Sequence, residues 1–528
     1  MVESRGIYSV FGVIASALLA WYVGGLVANE NYKIIGFTCL AILTFISALT
    51  FGRYWMIICM IPVIFRGSMA PIGFRIGPAE ICLAIIGFYC LVDGWRKNFT
   101  SKNGLKSNFG FFGTLAIITL AYFFIHTWIN IAYPFNDEDI SVKNCLKTIV
   151  GISTGFCIII FAARNTHFAK IPKNFYSVIG ILLILGNIFN SSIRAYGAFV
   201  LGEESSDSMD IGSDIDSGCV LNIPFLNFSE DLWGLRSLAP YSALFALMML
   251  YSKSHLCRGW GTQVIGRVLL ILSLIGALLS GGRSVLLMII LTGSILLLIR
   301  KQIVPIILVL FLSFLMLLSV KVIYTINSSL IPLGVQRSMA IIPFMGLDED
   351  ATVRIQSSSD WRYTLFRMGL EDWQQSTRTL LTGRSNYAYT EEDNQQIQLQ
   401  GQEGELAVNL RRGTTHNLIT DLLVPFGFFG LILYMACMFA LINSLWRLRR
   451  EMYHSPEIND LTLLSLLLII SSFLQALLGG GYLTPEAALT VALAITLASQ
   501  KARENKPLPD SGAEKVAGRP GFPLRTAG

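Results

Sequence analysis

The sequence predicts an all-α polytopic membrane protein, and three observations predict it. Of 528 residues, 53% are hydrophobic and only 14% charged, with a mean hydropathy of +0.59. A soluble domain carries nearly twice that charge density, about 25%. The apolar residues also fall in blocks long enough for the roughly 20-residue helices that cross a bilayer. These blocks are continuous rather than alternating, which excludes a transmembrane β-barrel in practice.

Fourteen candidate spans follow in order. The first seven lie near 7–28, 33–51, 53–66, 78–95, 110–132, 145–163 and 174–193, and the second seven near 237–253, 264–280, 284–299, 303–324, 416–442, 460–479 and 484–500. The third and tenth are short. The first has no A-x-A-like site after it and reads as an uncleaved span rather than a signal peptide. The loop charges set the orientation. With the N-terminus inside, the inner loops are basic: Arg96-Lys97, Arg164 to Lys173, Lys253 to Arg258, Arg300-Lys301 and Arg447 to Arg450. The outer loops include the acidic runs Asp137-Glu138-Asp139 and Glu203 to Asp216. Both termini are then cytoplasmic.

The organisation expected is 1–193, N-terminal spans; 194–236, an acidic outer loop; 237–324, central spans; 325–415, a large, partly helical outer loop between spans eleven and twelve; 416–500, C-terminal spans; and 501–528, a disordered tail rich in Pro, Gly and charge. Loops beyond about 15 residues are usually functional or disordered. Within the larger one, Trp361 to Trp373 has helical periodicity. Trp361, Leu365 and Met368 share one face, Arg362, Phe366, Gly369 and Trp373 the adjacent one, and Ser359 and Asp360 supply an N-cap. Glu391 to Glu405 is Gln-rich and reads as a mobile tip. The nine cysteines are scattered without C-x-x-C or zinc spacing. Those in apolar spans, such as Cys157 and Cys437, read as small core residues. No internal repeat is visible.

On this topology the polar residues become one-sided. His416 closes the large outer loop and opens span twelve. Arg283, in Ser280-Gly281-Gly282-Arg283-Ser284, sits at the outer turn between spans nine and ten; Arg194 closes span seven and Arg236 opens span eight, also outside. The outer loop adds Arg337, Arg354, Arg362, Arg367, Arg378, Arg384, Arg411 and Arg412, against the positive-inside bias. Guanidinium groups suit bidentate phosphate contacts, so a lipid-linked phosphate or diphosphate is the natural partner. A titratable base beside such a loop points to a reaction at a membrane surface, not to a pore. Each residue also has a plainer reading. His416 could be a helix cap, Arg283 a snorkelling span end, and most loop arginines partners for Asp348, Glu349, Asp350, Glu371 and Asp372. Gly282 allows close approach of backbone and ligand. Asn417 and Asp421 are one turn apart on span twelve; a carboxylate within a span is functional by default, though Asp421 could merely pair with a polar neighbour. Gly427 and Gly430 read as close helix packing, and His126 as structural.

Three motifs, in order, resemble the bacterial O-antigen ligase and O-antigen polymerase superfamily. They are the turn at 280–284; Trp361-Arg362 through Met368-Gly369 to Leu380-Leu381-Thr382-Gly383; and Thr415-His416-Asn417 through Gly427-Phe428-Phe429-Gly430. The match covers roughly 235–445. The second motif departs from the family's turn in lacking its proline and second glycine, and the 194–236 loop is longer and more acidic than the family's. The resemblance implies metal-independent, inverting transfer of a glycan from undecaprenyl diphosphate to an acceptor sugar hydroxyl. The reaction would take place at the periplasmic face of the inner membrane, with no cofactor and no nucleic acid. The acceptor would be the lipid A core for a ligase or a second lipid-linked glycan for a polymerase, with a chain-length regulator as a further partner. Carried over, His416 is the general base and Arg283 and Arg362 hold the diphosphate. Arg236 and Arg194 are second-rank candidates, and Asn417, Asp421 and Gly282 are supporting residues. The rivals are a lipid-linked glycan transporter or flippase, and a non-catalytic assembly partner. A transporter would favour repeats and polar residues near the midplane.

Overall fold

The computed structural model describes residues 109–132, 142–164, 175–200, 219–223, 226–229, 232–252, 254, 257–280, 283–326, 349–387, 395–396, 399–400, 402–413, 415–479 and 482–504. The predicted spans near 7–28, 33–51, 53–66 and 78–95 lie outside these residues, as do Gly282 and Arg337. Each of the ten later predicted spans is a helix. In chain order these are α1 (Gly110–Ala132), α2 (Val142–Arg164), α3 (Phe175–Val200), α4 (Leu232–Tyr251), α5 (Trp260–Leu279), α6 (Arg283–Ile299) and α7 (Ile303–Ile326). The outer segment then contributes α8 (Glu349–Trp373), α9 (Thr377–Thr382) and α10 (Gln402–Arg411), before α11 (Leu418–Glu451), α12 (Pro456–Gly479) and α13 (Pro485–Glu504). Among the described residues, α1, α5, α11 and α12 are long and apolar enough to cross a membrane. Shorter apolar stretches lie in α2, α3, α4, α6, α7 and α13.

Four expectations about element boundaries need correction. The 194–236 segment is not all loop. α3 continues past Arg194 to Val200, and an antiparallel hairpin of β1 (Cys219–Ile223) and β2 (Leu226–Ser229) precedes α4. The short apolar run Cys219-Val220-Leu221 and the alternation of apolar and polar residues in Leu226-Asn227-Phe228-Ser229 are strand patterns that span counting passes over. α8 begins at Glu349, so Ser359 and Asp360 are interior residues, not a cap. Nothing from Glu349 to Gln356 is Gly or Pro, and a capping residue marks a start only where the preceding residues cannot be helical. Part of the predicted mobile tip is α10, which packs on α8. The first four residues of the predicted tail complete α13; the remainder of the tail lies outside the described residues.

The bundle is organised around α4. From Ser237 to Met249 it is buried on every side, among α3, α5, α6, α12 and α13. A helix apolar all round belongs in such a centre. At the other extreme, α7 exposes Ile303, Val304, Ile307, Phe311, Phe314 and Ile326, a surface suited to lipid rather than water. Hydroxyls within apolar helices bond to carbonyls of their own helix, as Thr119 does to Leu115 (2.8 Å) and Ser273 to Leu269 (2.6 Å). Apolar surroundings demand that internal satisfaction. One end of the bundle is tied by Asp460 of α12, which pairs with Arg300 after α6 and accepts from Ser252 after α4 (2.5 Å). The starts of α4 and α6, and the end of α12, therefore lie together at the opposite end.

At that opposite end α11 is broken. Pro425 lies inside it, and Gly427 has a non-helical backbone (φ 66°, ψ −168°). Three consecutive carbonyls accept from outside the helix: Val424 from the Arg384 amide (2.9 Å), Pro425 from the Ser385 amide (3.2 Å) and Phe426 from the Tyr122 hydroxyl of α1 (2.9 Å). The loop reaches them because Gly383, itself at φ 74°, lies against Gly427. A Cβ at either glycine would come within about 2.5 Å of the other segment's backbone. Gly427 thus marks a loop-to-helix joint rather than the helix–helix packing the sequence suggested, whereas Gly430 does meet Phe123 of α1.

Gly427→Ala should therefore destabilise the protein by more than the ~1–3 kcal/mol of a strained backbone alone, because the new methyl also meets the Leu381 carbonyl. Thermal unfolding in detergent measures it. A midpoint equal to the parent's would mean that the two segments do not touch.

Candidate functional site

The beginning of α11 is tied down on both sides of one residue. Asn417 is the N-cap, its side-chain oxygen accepting from the Ile419 amide at 2.9 Å, while its Nδ2 donates to the Leu477 carbonyl near the end of α12 at 2.6 Å. On the other side, Asp421 Oδ1 accepts from both the Thr415 amide (2.7 Å) and the Thr415 hydroxyl (2.8 Å). Thr415 and Thr420 are hydrogen-bonded to each other and buried. His416 stands between these clamps at φ 54°. That conformation is uncommon outside glycine and persists only where its surroundings over-determine it. The helix cap is Asn417, so capping does not account for His416. Asp421 does pair with a polar neighbour, and through Thr415 it holds the backbone entering His416. Its place in the first turn also complements the helix dipole.

α8 crosses over this loop. Gly369 packs closely on Thr415 and Thr420, Leu365 is fully buried one turn earlier, and one turn before that the Trp361 ring lies 5.5 Å from the His416 ring. The face of Trp361 and Leu365 predicted from periodicity is thus the packed one, and Gly369 belongs to it. Arg362, on the adjacent flank, is exposed. The structure brings His416, Asn417, Asp421 and the Arg362 helix together.

A second group occupies the same end of the bundle. Arg236, in the second turn of α4, donates from Nε to the Ser280 carbonyl at 3.2 Å. Ser280 ends α5, and Arg283 begins α6 just beyond it. The neighbouring Ser237 donates to Glu486 of α13 at 3.2 Å. α12 packs against both α4 and α11 and so carries both groups. Arg194 lies in the last two turns of α3. Sequence reasoning passed over Glu486, although a buried acidic residue opening an apolar helix was a readable signal. It also passed over the Trp361–His416 contact, which joins residues far apart in the chain.

Two other loop arginines pair with the carboxylates that the plainer reading named. Arg384 is buried; its Nε donates to Asp372 at 2.5 Å, its Nη2 to the Leu410 carbonyl at 2.8 Å, and its guanidinium stacks on Tyr387. It joins the ends of α8 and α10 to the Gly383 joint. Arg367 pairs with Glu371 at 3.4 Å, an exposed contact worth at most about 1 kcal/mol. His126 is buried against Asn130, whose amide oxygen accepts from Arg378 at 3.4 Å. Among the described residues no three His, Cys, Asp or Glu side chains are grouped to hold a metal ion.

Residues 268–435 match the model of a family described as O-antigen ligase. The segment runs from within α5 to the middle of α11. It contains Arg283, Arg362, His416, Asn417 and Asp421, while Arg194 and Arg236 precede it. No curated protein matches the chain.

Asp421→Ala leaves the buried Thr415 amide without its acceptor and should cost about 1–3 kcal/mol. The expected result is faster hydrogen exchange in the peptide spanning 413–418, with little change in α4. Unchanged exchange there would show that the loop is held by other contacts.

Proposed function

Through residues 268–435 the chain belongs to the O-antigen ligase and polymerase superfamily, and on that premise we propose that it is a membrane glycosyltransferase of surface-polysaccharide assembly, ligase-like in its acceptor. It takes a glycan from undecaprenyl diphosphate and passes it to a sugar hydroxyl of the lipid A core. The reaction runs at the periplasmic face of the bacterial inner membrane, in a fourteen-span chain with both termini cytoplasmic. The observation that carries this reading is His416, held at a positive φ between two clamps within the matched segment, at the bundle end where Arg236 and the start of α6 also lie.

In the proposed reaction His416 accepts the proton of the acceptor hydroxyl as its oxygen attacks the anomeric carbon. The bond from that carbon to the diphosphate oxygen breaks, and the diphosphate leaves on its lipid with the bonding pair. Attack opposite the leaving group inverts the anomeric centre. Imidazole suits the role because its ordinary pKa lies near 6.5. Arg283 and Arg362, with Arg236 and Arg194 behind them, neutralise the leaving diphosphate as preorganised cations. That is the task a divalent ion performs in other phosphate sites, so the proposed reaction is metal-independent.

Helix lengths support the placement. At about 1.5 Å per residue, the part of α11 beyond Gly427 is roughly 36 Å long, enough for a hydrocarbon core of about 30 Å. The stub before Gly427 adds roughly 13 Å. His416 would then stand at the height of the lipid headgroups, where the diphosphate of a carrier lipid sits. The one-ended polar groups favour a transferase over a transporter.

His416→Ala in the native host, at unchanged membrane levels, should abolish capping of the lipid A core while long chains accumulate on the carrier lipid. Capping by single repeats instead would identify a polymerase, and an unchanged glycan pattern would refute transfer through His416. Treating the purified chain with a chelator should leave its transfer rate within about twofold of the untreated value; a loss restored by a divalent ion would overturn the metal-independent mechanism.

A further inference from the structure

We propose that Trp361 is a substrate-binding residue, its indole N–H donating a hydrogen bond to an oxygen of the acceptor glycan held beside His416. The inference rests on the reading of His416 as the base. Its own ground is separate. The Trp361 Nε1 atom is buried, yet among the described residues it has no hydrogen-bond partner. Buried indole N–H groups usually find an acceptor, and one left unmatched is a cost to the folded state that calls for an explanation. The ring carrying this donor lies 5.5 Å from the His416 ring.

The position is not a loosely packed one. Leu365 and Gly369, one and two turns further along α8, are buried, and Gly369 abuts Thr415 and Thr420. The helix register that places Trp361 over His416 is therefore set by close packing. The side chain as a whole is only half-buried, and Arg362 beside it is exposed. A sugar suits this combination: its C–H faces pack on an aromatic ring, and its oxygens accept from an N–H. The donor diphosphate is the task of the arginines, whereas the hydroxyl that His416 deprotonates belongs to the acceptor. The ring touching His416 is therefore assigned to the acceptor.

Trp361→Phe keeps a ring against His416 and removes the N–H. The test uses the full-length chain in detergent, with the glycolipid fraction extracted from host cells deleted for it, which supplies native donor and acceptor. Two quantities are read: the thermal midpoint and the initial rate of transfer across glycolipid concentrations. If the N–H serves the substrate, Trp361→Phe unfolds at the parent's temperature or higher, because an unmatched buried donor has gone. Its half-saturating glycolipid concentration then rises about tenfold, with the maximal rate within threefold. Parent-like half-saturation overturns the proposal. So does a lowered midpoint, which would mean that the N–H is already satisfied within the protein. His416→Ala, assayed alongside, separates the two readings: if it still transfers, the base assignment fails; if it is inactive while Trp361→Phe matches the parent, only the Trp361 assignment fails.

Discussion

Three successive carbonyls of a broken helix, each bonded to a donor from another segment, hold the outer part of this protein in place. Backbone groups released from a helix near the edge of a membrane need partners, because little water is available there to satisfy them. Here the partners are the amides of Arg384 and Ser385 and the hydroxyl of Tyr122. The outer segment is thereby fastened to the same helix that presents His416. Gly383 and Gly427 make the approach close enough, and buried Arg384 ties the joint to α8 and α10. Loss of that joint would free α8, and with it the wall that Trp361 builds beside His416.

The rest of the bundle gives this joint a fixed base. α4 is enclosed on all sides, and Asp460 gathers the ends of α4 and α6 and the start of α12 at the end of the bundle away from the joint. With those ends fixed, the starts of α4, α6 and α13 converge beneath the outer segment. Their polar residues, Arg236 with Ser280 and Ser237 with Glu486, are drawn into one neighbourhood although they are remote in sequence.

Much of the helical framework was legible because continuous apolar blocks have few alternatives, and ten of the described helices, α1–α7 and α11–α13, lie where hydropathy puts them. The hairpin of β1 and β2 was not, since two short strands carry too little pattern to stand out in an acidic loop. The break in α11 was half legible. Pro425 and Gly427 were visible, but only the approach of Gly383 distinguishes a joint from helix packing. His416, Asn417 and Asp421 could be singled out by type and position. The division of labour among them, with Asn417 and Asp421 each securing one side of His416, depends on Leu477 and Thr415, which no local pattern connects to them.

The break in α11 has a mechanical consequence. A continuous helix would transmit any change of tilt along its whole length, and spans do tilt to match bilayers of different thickness. Here the long shaft beyond Gly427 meets the short stub before it at a glycine that interrupts the helix, while the stub is bonded to the outer segment instead. Hydrophobic mismatch can then be absorbed by rotation of the shaft about that point, and the spacing between His416 and α8 is insulated from the thickness of the lipid around it.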